Sequence, residues 1–386
     1  MDFAFSEEQL AIGRLAREFA EREIGDRPAE WDREERFPPR EISRGLGALG
    51  LMGGAVPGQY GGSDMDYVSL VLMVEELSRF CTTTGLLAAW PSCSLGSGLL
   101  LYGTEEQRQK YLTPLCRGER LGGTAVTEPH SGTDIVRRME STCVRAGDDY
   151  LLNGAKIWIS NIEQAEWFIT FAALDKGRGH RGLCAFVVEK DWPGVTWRPI
   201  HNKVGSRMMQ SGQLFFDDVR VPAANRVGDE YAGNQVLMAG TEIGRLACAA
   251  RALGGIRACL DASIAYAKQR EVFGQPIARY QLIQAKIAEM VINLEAARAL
   301  TYKLAWQKDS GQVRVQQDAS IVKYLATEAY AKASTEAVQI HGAYGCSEEF
   351  PVGRHFRDAK FMQIYDGTNE IHQIIIAEHA LGIRGT

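Results

Sequence analysis

The chain has 386 residues, 45% of them hydrophobic and 24% charged, with a formal net charge of −5. That length predicts two or three domains rather than a single core, and the composition is that of a globular protein, not a disordered one. The acidic balance excludes a nucleic-acid partner, because there is no basic excess to displace counterions from phosphates.

The opening "MDFAFSEEQL" lacks the basic-then-apolar order of a signal peptide. No apolar run is expected to reach the length of a membrane span. The eight cysteines are scattered without a CxxC pair, and the seven histidines have no zinc-like spacing with them. Reduced thiols, a cytoplasmic location and no metal site follow as expectations.

Residues 1–117 read as a helical domain. Ser6 and Gln9 form a predicted capping box, with Phe5 stapled onto Leu10, and Leu15, Ala16, Phe19 and Ala20 continue an apolar stripe. "GLGALG" (Gly45 to Gly50) matches the dinucleotide fingerprint GxGxxG. A helix start at Pro39 precedes it and no βαβ unit follows, so glycines that end a helix are the better reading.

Residues 118–230 read as an antiparallel β domain. "YLLNGAKIWIS" places Asn153-Gly154 between two strand-like runs, a hairpin signal. "WFITFAAL", "GLCAFVVE" and "GQLFFDDVRVP" are further short strands. Strand alternation would put Trp158 and Ser160 on one face of "KIWISN" and Ile157 and Ile159 on the other. Residues 231–386 return to the helical period. Ile283, Ile287, Met290, Leu294, Ala297, Thr301 and Leu304 form one stripe, and a helix from about Asp318 to His341 ends at Gly342, where a left-handed cap suits glycine. The expected fold class is α+β multidomain, ordered helix, sheet, helix.

Taken singly, the motifs are ambiguous. "AVTEPHSGTD" offers hydroxyls and backbone N–H groups for a phosphate or heterocycle, or is an ordinary turn. Trp158 suits the floor of a flat ligand, or a core. Arg270 suits pyrophosphate, or a surface ion pair. "QIHGAYG" lets backbone approach a ligand, or caps a helix. Their order, together with "PGQYGGSDMDY" and "RDAKFMQIYDGTNEI", resembles the acyl-CoA dehydrogenase family of FAD enzymes along essentially the whole chain.

The resemblance implies a set of roles. Val126 and Thr127 would meet the flavin's pyrimidine edge, with Trp158 against the ring and Ser160 donating to N5. Gly132 and Thr133 would serve the ribityl or pyrophosphate, and Thr133 also the substrate's pantetheine. Arg270, Phe273, Gln281, Gln339 and Gly342 would hold the ADP half from a neighbouring subunit, completed by Thr368 and Glu370. A shared cofactor implies a homo-oligomer, usually a tetramer. Two departures lie beside the flavin: His130 replaces a glycine in "PHSGTD", and Ile162 replaces one in "WISNI".

In the family a glutamate usually stands where this chain has Asp366, as the base that takes the thioester's α-proton. Some members carry the base instead at the position of Gly244, so Asp366 is the expected base, with Arg245 supporting it. Tyr365, Gly367 and Trp90 are expected against the acyl group. Aspartate is one methylene shorter, about 1.5 Å of reach, which suggests a compact, branched or alicyclic acyl group. An electron-transferring flavoprotein is the implied acceptor. The alternatives are an acyl group borne on a carrier protein, a flavin-dependent hydroxylase of the same fold, and a non-catalytic flavoprotein.

Overall fold

A computed structural model describes residues 4–312 and 314–383, apart from the side chain of Ser94. The first helical segment holds α1 (Glu7–Glu23), α2 (Pro28–Arg33), α3 (Pro39–Ala48), α4 (Tyr67–Phe80), α5 (Thr82–Ala89), α6 (Ser94–Tyr102), α7 (Glu105–Gln107) and α8 (Thr113–Cys116). Strands β1 (Gly122–Ala125), β2 (Thr142–Ala146), β3 (Asp149–Ser160), β4 (Trp167–Ala173), β5 (Leu183–Glu189), β6 (Val195–Ile200), β7 (Ser211–Val221) and β8 (Arg226–Val227) follow. Then come α9 (Gly233–Met238), α10 (Thr241–Gln269), the short pair β9 (Glu271–Val272) and β10 (Gln275–Pro276), α11 (Gln281–Asp309), α12 (Gln316–His341), α13 (Val352–Met362) and α14 (Asn369–Leu381). The helix–sheet–helix order is the expected one.

The eight strands form one sheet in the order β6-β7-β3-β2-β4-β5-β8, with β1 beside β4. It is mixed rather than purely antiparallel, because β1 and β2 both run parallel to β4. Strand β4 shows why the sheet is covered on both faces. Trp167, Ile169 and Phe171 join the core shared with the helices, while Phe168 and Ala172 pack into a second core on the opposite face with Leu152, Phe186 and Leu214.

Helix α10 runs through the middle of the helical layers and packs on α4, α11 and α12. It is buried almost continuously from Ile243 to Ile256, as a helix with neighbours on every side must be. Buried carboxylates tie the two helical segments together. Glu75 and Glu76 of α4 pair with Arg257 of α10 at 3.1 and 2.7 Å, and Glu75 also meets Arg298 of α11 at 3.3 Å.

Several local expectations are corrected. The Ser6–Gln9 capping box forms, but Leu10 stays exposed and Phe5 packs on the Tyr302 ring at 5.1 Å instead. Asn153-Gly154 is not a hairpin turn: β3 runs straight through it, and the turn lies at residues 147–148 between β2 and β3. Gly154 is glycine for another reason, since a Cβ there would stand 2.3 Å from Ser141 Oγ. Strand alternation fails at Trp158, where a bulge between Lys156 and Ile159 gives the tryptophan a φ of 62°. Gly342 does end α12 with positive φ, but its ψ of −137° is not that of a left-handed cap. Finally, Thr82–Tyr102 is long and apolar enough to pass for a membrane span, against expectation. It is broken between α5 and α6 and mostly buried within the helical core.

Candidate active site

The loop between α13 and α14 carries "QIYDGT", and its backbone is held from three directions. Thr368 caps α14 by accepting from Ile371 N. His372 Nε2 donates to the carbonyl of Asp366 at 3.2 Å, leaving Nδ1 as the unprotonated nitrogen. Lys323, fully buried on α12, donates to Gly367 O at 2.7 Å and Asn369 Oδ1 at 2.8 Å. Asp366 has φ 55° and Gly367 φ 94°, a left-handed pair that glycine makes accessible and that turns the Asp366 side chain off the helical path.

Asp366 is exposed. Desolvation by the surrounding protein nonetheless pushes its pKa above the ordinary aspartate value, opposed first by Arg251, then by Lys323 and Arg245. His372 is pushed down to about 4, by burial first and then by Arg245 and Lys323, so it is neutral at physiological pH. The Cys248 thiol is pushed up to about 11 by burial, with Asp366 adding to the effect.

Helix α10 forms the facing wall. Gly244, Cys248 and Arg251 recur at i, i+4 and i+7 and share one face. No atom lies within 4 Å of where a Cβ on Gly244 would stand, so the relocated-base position is open space. Glu242 is turned away, with Lys308 at 3.5 Å and Val315 N at 3.3 Å. Arg245 and Arg251 are both buried and neither has a carboxylate within 4 Å among the described residues. Arg245 reaches only Ser320 Oγ at 3.5 Å, and Arg251 Nε donates to Thr82 O at 2.9 Å, with its guanidinium over the Tyr365 ring at 5.4 Å. Among the described residues, Arg245 Nε, Arg251 Nη1 and His372 Nδ1 are buried without hydrogen-bond partners, and Tyr365 Oη has only the Cys248 thiol beside it. Such a concentration of unsatisfied atoms is costly in a packed core and is expected where a ligand completes the set. Trp90 and Cys93 are buried nearby, and the charge of Asp366 acts on the Cys93 thiol.

The β domain presents its own candidates on one strand and one turn. Thr127 O accepts from Ile157 N at 2.8 Å, so the Val126–Thr127 segment lies alongside β3. Below it, Lys156 and Glu128 make a buried ion pair at 2.8 Å, and the same carboxylate accepts the backbone N–H groups of Glu140 and Ser141. Burial takes Lys156 down to about 8, while the ammonium and backbone N–H groups outweigh burial and hold Glu128 low. Both partners are charged at neutral pH. Trp158 is half exposed, Ser160 half-buried, and Gly132 and Thr133 exposed. Asn161, not Ile162, takes the left-handed conformation, and Ile162 is fully buried under Gly212. The residue that replaces the family's glycine therefore carries no backbone strain. His130 is exposed on the turn.

The residues expected around an ADP moiety face outward. Phe273 is 97% exposed, and Gln281, Gln339 and Glu370 are exposed. Gly342 has open space beside it. Arg270 lines a cavity of about 450 Å³ with Tyr266, His341, Tyr344 and Phe350.

Three family models match in succession: the acyl-CoA dehydrogenase N-terminal domain over residues 6–119, the middle domain over 123–219 and the C-terminal domain over 232–381. The chain belongs to the acyl-CoA dehydrogenase family. This dehydrogenase is 41% identical to the acyl-CoA dehydrogenase of Bacillus subtilis, covering 98% of this chain and 99% of that one. The glutaryl-coenzyme A dehydrogenase solved with glutaryl-CoA superposes with a TM-score of 0.96 at 38% identity, covering 100% and 98% of the two chains. The prolyl acyl carrier protein oxidase AnaB gives 0.93 at 34% identity, covering 98% and 100%. The dehydrogenase is an oxidoreductase of CH–CH bonds with FAD as its cofactor. A half-exposed indole held off the strand path, on a strand that Thr127 bonds to, with Gly132 and Thr133 exposed on the turn that follows, fits a flat ring with a phosphate tail.

Lys323, Arg251, Cys248 and His372 escaped sequence reasoning. Lys323 left a trace, an ammonium on the otherwise apolar stripe of Ala319, Val322 and Ala326. Arg251 left a similar one amid the small residues of "ACAARALGG".

Proposed function

We propose that Asp366 is the base that takes the α-proton of a compact acyl thioester in this acyl-CoA dehydrogenase. The reading rests on the exposed carboxylate of Asp366, on a loop pinned by Lys323 and with its pKa raised among the cations of α10 and α12. Bound FAD supplies the two-electron acceptor for the hydrogen leaving the β-carbon. Val126, Thr127, Trp158 and Ser160 seat its ring, with Gly132, Thr133, Thr368 and Glu370 around the remainder. Arg270, Phe273, Gln281, Gln339 and Gly342 serve the ADP half across the interface of a homotetramer.

An α-C–H is a weak acid, so the base must work with polarisation of the thioester carbonyl. The backbone N–H of Asp366 is the donor for that oxygen, and the neighbouring Arg251, Lys323 and Arg245 favour developing negative charge. The raised pKa makes the carboxylate a stronger proton acceptor than an aspartate in water. Because the loop backbone is tied by His372 and Lys323, the short side chain is compensated by how the acyl group is seated. Trp90, Cys93 and Cys248 with Arg251 would line the acyl site, and a bulky Trp90 there suits a compact, branched or alicyclic group better than a long chain. Tyr365 and Gly367 flank it. Electrons leave to an electron-transferring flavoprotein.

Anaerobic titration with straight, branched and alicyclic acyl-CoAs, following loss of flavin absorbance, tests the substrate class. Asp366→Asn is expected to keep FAD and lose reduction by every thioester. Reduction retained in that variant refutes the base. The carrier-protein reading has one supporting observation, the likeness to a carrier-protein oxidase.

A further inference from the structure

Strand β3 changes its hydrogen-bonding partner part-way along. Up to Lys156, which stands opposite Leu214, it pairs with β7, and pairing resumes only at Ile159, opposite Gly212. Between them Ile157 N donates to Thr127 O at 2.8 Å. By alternation Trp158 would follow Leu152 and Lys156 onto the buried face. The bulge gives that place to Ile159, which joins the core there, and leaves Trp158 half exposed with a φ of 62°. A bulky residue rarely holds that conformation unless the structure around it over-determines it.

Beneath the bulge lies one buried carboxylate. Glu128 directly follows Thr127, and Lys156 directly precedes Ile157. The 2.8 Å ion pair and the Ile157–Thr127 bond therefore join the same two segments at adjacent residues. The carboxylate also accepts from Glu140 N at 2.6 Å and Ser141 N at 2.9 Å, which ties in the segment that leads into β2. At the backbone, Glu128 and Ser131 each donate to the other's carbonyl, at 3.0 and 3.1 Å, closing the turn that presents Gly132 and Thr133. Both side chains of the pair are out of solvent, so their influence runs through the residues they hold.

We infer that the Glu128–Lys156 pair is a positioning device for the cofactor: it keeps Trp158 in its outward conformation and at a fixed angle to the Val126–Thr127 edge, so that the flavin ring meets a preformed seat. This rests on the reading that these residues seat the flavin. Two segments tied only by the Ile157–Thr127 bond are free to hinge about it, and the ion pair adds the second point that stops the hinge. A buried ion pair is often no more stabilising than apolar residues of its size. What it supplies here is one arrangement of the seat.

The test uses the full chain with FAD and the Glu128→Gln/Lys156→Met variant, each with and without Trp158→Ala. Removing both charges together, at nearly constant size, avoids the stranded charge that either single change would leave. With Trp158 in place, the pair variant is expected to fold with a wild-type far-UV spectrum, to bind FAD about tenfold more weakly and to alter the visible circular dichroism of the bound flavin. In the Trp158→Ala background the same exchange should change FAD affinity by less than about twofold, because the residue through which it acts is gone. Equal losses in both backgrounds, or unchanged FAD binding, would overturn the inference. A pair variant that does not fold would overturn it too, by making the pair a requirement of the fold. If Trp158→Ala alone leaves affinity and flavin dichroism at wild-type values, the reading of the seat itself fails, and the positioning role goes with it.

Discussion

Replacing Lys323 by methionine separates the positioning of the base from the stability of the fold. The Lys323 ammonium makes two short hydrogen bonds, to Gly367 O and Asn369 Oδ1, and a longer one to Gln363 O at 3.4 Å. Two charge-assisted bonds are worth about 3–6 kcal/mol together. Methionine has nearly the same length and removes the cost of keeping an ammonium out of water, several kcal/mol. The two effects nearly cancel, and the unfolding free energy should change by no more than about 2 kcal/mol. The loop has no such compensation, because Gly367 loses the donor that fixes the residue after the base. A drift of about 1 Å at Asp366 costs on the order of a hundredfold in rate. Stopped-flow flavin reduction under anaerobic conditions, at a pH where the carboxylate is ionised, gives the rate, and urea unfolding of the same preparation gives the stability. A hundredfold slower reduction with a nearly unchanged unfolding curve is expected. Reduction at the wild-type rate would show that Lys323 does not hold the base, and the account of the loop would fall.

Two further changes probe other parts of the site. Asp366 must be ionised to act, so activity should appear as pH rises through its raised pKa; Arg251→Gln removes the largest opposing cation, raising that pKa further and moving the acid limb of kcat/KM to higher pH, whereas an unmoved limb would detach Arg251 from the base. Phe273→Asp should dissociate the oligomer and release FAD, because a phenylalanine left 97% exposed in one chain is expected to be covered in the assembly; light scattering and flavin absorbance report both, and an intact yellow tetramer would contradict the shared site.

The periodicities of 3.6 and 2 were enough to place the helical and β segments, because in this chain the apolar faces are long and clean: the α11 stripe from Met290 to Leu304 is buried as its spacing implies. Turn chemistry was less legible. Asn153-Gly154 carries the letters of a hairpin, yet its glycine answers to Ser141, thirteen positions away in sequence, which no local pattern reveals. Trp158 lies on the expected strand, but the alternation expected along it fails there, because one residue of bulge shifts the side chains that follow. At the candidate site, Asp366 and Gly244 were visible as letters in motifs. The electrostatic surroundings were not: Arg251 is 115 positions and Lys323 is 43 positions before Asp366, and only the packing of α10 and α12 brings their charges to the loop.

The bare stretch of α10 at Gly244 also bears on how this enzyme's preference can change over time. A Cβ added there has no atom within 4 Å and asks nothing of the helix backbone, since alanine and larger residues are better helix formers than glycine. On the proposed reading, selection at that single codon would shorten, narrow or charge the acyl site while the hydrogen bonds that hold the Asp366 loop stay intact. Diversification of substrates among descendants of this chain has an unobstructed first step.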